Sequence, residues 1–143
     1  MPSTNSAGRT LIEDFEGCKL TAYQDTGGVW TIGFGHTEGV REGETITQTE
    51  ADAFLEADLA ATEHEVQGLV EVQLTPNEFS ALVSFEYNTG ALGSSPGLAL
   101  INARQFAPAW DDHFCLYIHD ESGNTLEGLV RRRAAERALF FTA

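Results

Sequence analysis

One hairpin signal limits what this chain can become. Lys19–Asp25 (KLTAYQD) and Val29–Gly35 (VWTIGFG) are rich in β-formers, and Thr26-Gly27-Gly28 joins them as a tight turn. Glu38–Ile46 (EGVREGETI) predicts a further turn and a short strand. Almost everything else is patterned for helices. Thr10 with Glu13 has capping-box spacing, which predicts a short helix with Leu11, Ile12 and Phe15 on its apolar side, a loose polar lead over residues 1–9, and Gly17 at its end. Thr47 with Glu50 starts a long helix to about Leu69, with an apolar stripe through Ala51, Leu55, Leu59, Val66 and Leu69. Thr75-Pro76-Asn77-Glu78 starts another, followed by Phe79, Leu82 and Val83 at helical spacing. Beyond the Gly90–Gly97 loop, shorter helical segments run to about Tyr117, a polar loop spans His119–Asn124, and a last helix covers Gly128–Phe141.

The pattern predicts an α+β fold of two lobes: a small hairpin lobe over about 10–47, a linking helix over about 48–69 and a larger all-helical lobe over about 70–143. With 143 residues, 42% of them apolar, the chain can bury one core and reads as a single domain. A groove between two lobes suits a polymer.

Charge and composition narrow the function. The net charge of −14 argues against nucleic acid and against easy approach to any anionic polymer at low salt. No apolar stretch approaches the ~20 residues of a membrane span, and the first ten residues are unlike a signal peptide, so a soluble product made in the cytoplasm without stable membrane association is expected. Cys18 and Cys115 make no disulfide framework and read as reduced thiols. Of the eight basic residues, Arg131, Arg132, Arg133 and Arg137 fall in one C-terminal stretch.

Glu16, Asp25 and Thr31 are the residues whose types and spacing point to chemistry. Hydrolysis of a glycosidic bond needs two carboxyl functions in opposite protonation states, one giving a proton and one orienting or replacing water. Glu16 lies in the last turn of its helix, where the carbonyl end of the dipole disfavours ionisation, as a general acid requires; an exposed glutamate tolerating its position reads equally well. Asp25 ends a strand at a Gly-rich turn, where aspartate is common for local hydrogen bonding. Thr31 is ordinary strand material that the hairpin could bring near Asp25 to hold a water.

Glu16, eight residues, Asp25, five residues, Thr31 and then Ile32–His36 (IGFGH) resemble the catalytic signature of phage-type lysozymes, glycoside hydrolase family 24. Leu74–Gly90 resembles that family's helix facing the cleft, Gly128–Phe140 its terminal helix, and Ile46–Leu59 the start of its interlobe helix. The resemblance implies a lysozyme-like fold and hydrolysis of the β-1,4 bond between N-acetylmuramic acid and N-acetylglucosamine in peptidoglycan, without metal or cofactor and with inversion. It implies Glu16 as general acid, with Asp25 and Thr31 positioning the attacking water. It further implies an arginine of the last helix paired with Glu16. Successive helical residues diverge by about 100°, so one arginine is expected, and Arg133 is the choice. Such a partner would favour the ionised form of Glu16. His36 with Asp58 is expected to tie lobe to lobe, and Asn88 reads either as a substrate-side group or as a plain helix-end residue.

The implied setting is a monomeric phage or prophage endolysin acting on peptidoglycan glycan strands in the periplasm after holin-dependent release. The alternatives are a non-catalytic relative that binds glycan or protein in the same cleft, and the same chemistry in a secreted antibacterial or tail-associated lysozyme. Three features depart from the family: Glu86 adds a negative charge near the expected cleft, the tryptophan common before the terminal helix is missing, and the chain is strongly acidic.

Overall fold

Asn5, not Thr10, starts the first helix. In the computed structural model, which describes residues 2–143, α1 spans Ser6–Glu16, and the Asn5 side chain accepts the Gly8 N–H at 2.9 Å. The expected loose lead is tied down instead. The Thr4 N–H and hydroxyl both donate to Glu63 Oε2, at 2.8 and 2.6 Å. Asn5 donates through Nδ2 to Asn77 Oδ1 at 2.8 Å and through its N–H to Ser80 Oγ at 3.0 Å. Gly8 lets this turn sit close to its neighbour, since a Cβ there would lie 2.5 Å from that of Ser80. The capping-box spacing of Thr10 and Glu13 therefore falls inside a helix already running. Gly17 ends α1 as expected, at φ 65°.

β1 (Lys19–Gln24) and β2 (Trp30–Gly33) form one antiparallel pair, with Tyr23 opposite Thr31 and Gln24 opposite Trp30. The expected third strand shrinks to a bridge between Thr21 and Thr45, held by Ala22 N–H to Glu44 O and Ile46 N–H to Leu20 O, each 2.9 Å. β2 closes in a tight turn in which Ile32 and His36 exchange backbone hydrogen bonds of 2.8 and 2.9 Å.

α2 (Gln48–Leu69) opens on the Thr47–Glu50 capping box and buries Ala51, Leu55, Leu59, Thr62 and Val66 along one face, leaving Leu69 at the rim. Thr62 fits that face because its hydroxyl donates to Asp58 O at 2.9 Å. α3 (Pro76–Thr89) opens on the Thr75–Glu78 box, ends at Gly90, and is buried at every position from Phe79 to Glu86. That marks it as the centre of the helical lobe, where it packs against α1, α2 and α6. α4 (Gly97–Asn102) and α5 (Phe106–Asp112) follow, with short 3₁₀ turns at Leu92–Ser94 and Phe114–Leu116. α6 (Glu127–Phe140) closes the lobe. This is the expected α+β arrangement, one β-hairpin beside a larger set of helices. Among the described residues no helix is long and apolar enough to cross a membrane. Cys18 and Cys115 are half-buried free thiols.

The core of the helical lobe is aromatic. Phe85 packs on Phe114 with ring centroids 4.7 Å apart, Trp110 edges onto Phe114 at 5.1 Å, and Phe140 closes the group 5.6 Å from Trp110. Because Trp110 is fully buried at the junction of α5 and α6, Trp110→Ala is expected to lower unfolding free energy by about 3–5 kcal/mol in urea titration.

Candidate active site

Glu16 is the last residue of α1, and the fold turns it towards α6. Arg132 Nη1 donates to Glu16 Oε2 at 2.6 Å, with the glutamate side chain 18% exposed and the arginine 3%. The expected partner, Arg133, is not the one. It points around the helix towards α3, where Nη2 donates to Asn88 Oδ1 and the guanidinium lies 5.2 Å from the Phe85 ring centroid. Arg131 is exposed. One arginine meets the carboxylate, as the helical geometry requires, but the register is off by one residue. Gly35 brings the hairpin backbone against the other oxygen: a Cβ there would lie 2.6 Å from Glu16 Oε1, and the residue sits at φ 83°.

Two tyrosines flank Glu16. The Tyr87 hydroxyl donates to Phe34 O at 2.5 Å, and burial first, then the Glu16 and Asp58 carboxylates, pushes that phenol far above its ordinary range. The Tyr23 phenol is also raised, by burial and then by Glu16 and Asp25. A tyrosine responding to both carboxylates places Glu16 and Asp25 in one electrostatic neighbourhood.

Asp25 stays exposed at the hairpin turn, and its Oδ1 accepts the N–H groups of Gly27 and Val29, each at 2.9 Å. The local hydrogen bonding typical of a turn aspartate is therefore present. Thr31 is only 4% exposed, and its hydroxyl donates to Val29 O at 2.9 Å. The same carbonyl accepts the Asp25 N–H at 2.9 Å. Asp25 and Thr31 thus meet through Val29, each tied to it, rather than by direct contact.

The space between the lobes holds two adjoining hollows. One of about 240 Å³ contains Phe15, Glu16 and Arg132; the other, of about 550 Å³, contains Asp25, Tyr117, His119 and Glu121. Asn88, Leu126 and Leu129 line both, making the hollows one cleft with Glu16 in one part and Asp25 in the other. Asn88 Oδ1 is taken by Arg133, which leaves the amide N–H groups for the cleft. A hollow of about 590 Å³ beside Pro2, Leu74 and Phe79 shares no residue with this cleft.

His36 Nδ1 and Asp58 Oδ2 are 2.8 Å apart, and the imidazole stacks on Phe54 at 4.3 Å. The pair joins the end of the hairpin turn to α2. Glu86 does not reach the cleft. It is buried, with Oε1 accepting the Leu92 N–H at 3.0 Å. Burial raises its carboxyl above the ordinary range, the neighbouring Glu65 carboxyl adds to the rise, and the Leu92 N–H opposes it. Among the described residues no cluster of His, Cys, Asp or Glu is arranged to hold a metal. Sequence reasoning missed Glu136 and Ser84, which hold Arg132 from behind. Glu136 was legible in principle: it lies four residues after Arg132 and three after Arg133, the spacing that brings helical side chains together. Ser84 carried no such signal.

With this geometry in place, relatives can be compared. The family model described as phage lysozyme matches residues 13–136. The chain is 36% identical over 140 residues to the endolysin of Acyrthosiphon pisum secondary endosymbiont phage 1, covering 95% of this chain and 96% of that one. It is 40% identical over 136 residues to the endolysin of Lactococcus phage c2, covering 93% of this chain but spanning only 58% of that protein. Among solved structures it is similar to the muramidase domain of SpmX from Asticaccaulis excentricus, with a TM-score of 0.86, 39% identity and full coverage of both chains.

Glu86 supplies a pH test of the surrounding structure. A carboxyl raised in the folded state stabilises the fold below its unfolded value, ordinarily 4.5, and this contribution is lost as pH rises through the folded value. Glu86→Gln keeps an oxygen for Leu92 and removes the charge. It is expected to raise the urea midpoint at pH 7, with the gain shrinking as pH falls towards 4.5.

Proposed function

This chain belongs to the phage lysozyme family, and from that premise we infer that it is a peptidoglycan muramidase, an endolysin that cleaves the β-1,4 bond between N-acetylmuramic acid and N-acetylglucosamine. The observation that carries the reading is the cleft itself, with Glu16 lining one of its two hollows, Asp25 the other and Asn88 both. The whole of residues 1–143 acts as one catalytic domain, the hairpin and helical lobes closing on the glycan from either side of α2.

Glu16 is the proton donor to the glycosidic oxygen. Its contact with Arg132 matters most after the transfer, because the guanidinium stabilises the carboxylate left behind. Asp25 orients the water that attacks the anomeric carbon from the far face, and Thr31 supports it through Val29. Attack from that face inverts the anomeric configuration. Asn88 presents amide donors to an acceptor on the sugar, such as an acetamido oxygen. His36 and Asp58 keep the hairpin seated on α2 and take no part in proton transfer. The reaction needs no cofactor. The enzyme works as a monomer on the cell wall, which it reaches with the help of a separate membrane-permeabilising holin.

The test is hydrolysis of purified peptidoglycan with product analysis. Glu16→Gln and Asp25→Asn are each expected to reduce turnover by at least about a hundredfold while remaining folded. Product of α configuration at the new reducing end, seen by NMR before mutarotation, supports inversion. Wild-type protein no more active than either variant would overturn the reading in favour of a cleft that only binds. Fragments with 1,6-anhydro ends would show transglycosylation instead of hydrolysis.

A further inference from the structure

We propose that Glu136 is a positioning residue for the general acid: as the buried counter-ion of Arg132, it keeps that guanidinium's charge from acting wholly on Glu16, and so sets the pH range over which Glu16 holds its proton. The proposal rests on the reading of Glu16 as proton donor. Glu136 is completely buried, lines neither part of the cleft and cannot touch substrate there. Its Oε2 accepts from Ser84 Oγ at 2.5 Å and from Arg132 Nε at 3.3 Å. Its Oε1 lies 3.1 Å from Arg133 Nε, an ion contact without an aligned hydrogen bond. Arg132 is thus a bridge. Nη1 holds Glu16, Nε faces Glu136, and Nη2 reaches the Ser84 hydroxyl at 3.3 Å and its carbonyl at 3.4 Å.

Counting charge gives the consequence. Burial pushes the Glu136 carboxyl up, and Arg133, Arg132 and the Ser84 hydroxyl oppose that rise; with both glutamates ionised, the two arginines and two carboxylates cancel. Protonating Glu16 for catalysis leaves one net positive charge in the cluster. Were Glu136 neutral, the same protonation would leave two. An uncompensated buried charge is expensive, so the cluster without Glu136 disfavours protonated Glu16. A donor that loses its proton too readily fails at the alkaline side of the profile.

The groups that face these carboxyls are few. Arg132 and Arg133 from α6, Tyr87 from α3 and Tyr23 from β1 act on or respond to Glu16, with Asp25 acting on the same Tyr23. Glu136 is faced by Arg132 and Arg133 on its own helix, Ser84 of α3, and Cys115 of the turn after α5. All remain when only residue 136 changes.

The experiment is kcat/KM against pH on purified Gram-negative sacculi for wild type, Glu136→Gln, Glu136→Asp, Ser84→Ala and Glu16→Gln, with thermal melts at each pH. Glu136→Gln is expected to move the alkaline limb to lower pH by about one unit. Glu136→Asp keeps the charge and should leave the limb in place even if the rate falls. Ser84→Ala, which loosens Glu136, should move the limb the same way by less. A folded Glu136→Gln whose profile drops in height with the limb unmoved overturns the proposal. If that variant does not fold, an unmoved limb in Ser84→Ala overturns it. An active Glu16→Gln would sink the donor assignment itself, a separate failure read from a separate variant.

Discussion

The buried ion cluster at the meeting of α1, α3 and α6 is the constraint on which the rest of this structure depends. Arg132 reaches Glu16 at the end of α1, Glu136 one turn along its own helix and Ser84 on α3. Buried charges are tolerated only when paired and hydrogen-bonded, so these three helices cannot slide past one another without stranding a charge. The far end of α1 is held just as firmly, by Asn5 on Asn77 and Ser80. With both ends pinned to the helical lobe, α1 acts as a rigid arm that delivers Glu16 to a fixed place. The β-hairpin then builds outward from that arm.

The hairpin is tied to the helices by part-buried bonds of its own. His36 with Asp58 fastens the hairpin turn to α2, and the Tyr87 hydroxyl fastens Phe34 to α3. Both fastenings cluster around the turn that carries Gly35, beside Glu16. Asp25, at the other end of the hairpin, is positioned mainly by the local turn and by strand pairing with β2. The two carboxylates are therefore supported very differently: one by a packed core, the other by a ribbon. This division leaves Glu16 held among packed helices and Asp25 on the exposed turn.

How much could be read in advance follows the same division. Local signals were sound wherever local chemistry decides: the Thr47 and Thr75 caps, Gly17 and the Thr26-Gly27-Gly28 turn all sit where their side chains or dihedrals require. They failed where a distant partner decides. Thr10 with Glu13 had the right spacing for a start, but Asn5 won because Asn77 and Ser80, more than seventy residues away, hold it in place. Arg133 and Arg132 are indistinguishable until the rotation of α6 is known, and a single residue exchanges the partner of Glu16 for the partner of Asn88. Glu86, expected near the cleft as a departure from the family's pattern, instead turns inward on α3 to Leu92. The motif around Glu16, Asp25 and Thr31 was visible throughout, whereas the route by which Thr31 reaches Asp25, through the Val29 backbone, was not.

The self-cancelling core cluster has a consequence for the outside of the molecule. Two of the eight basic residues are sealed within it against two carboxylates, so the formal charge of −14 is carried entirely by the remaining side chains. Arg137 and Arg9 are themselves engaged with Asp111 and Glu56. The exterior is thus strongly anionic on balance, with Lys19, Arg41, Arg104 and Arg131 exposed among the acidic side chains. Two such exteriors repel, which keeps copies apart in dilute buffer, and an anionic glycan meets the same barrier. At about 0.1 M salt the field decays over ~10 Å, so counter-ions in the surrounding fluid lower that barrier.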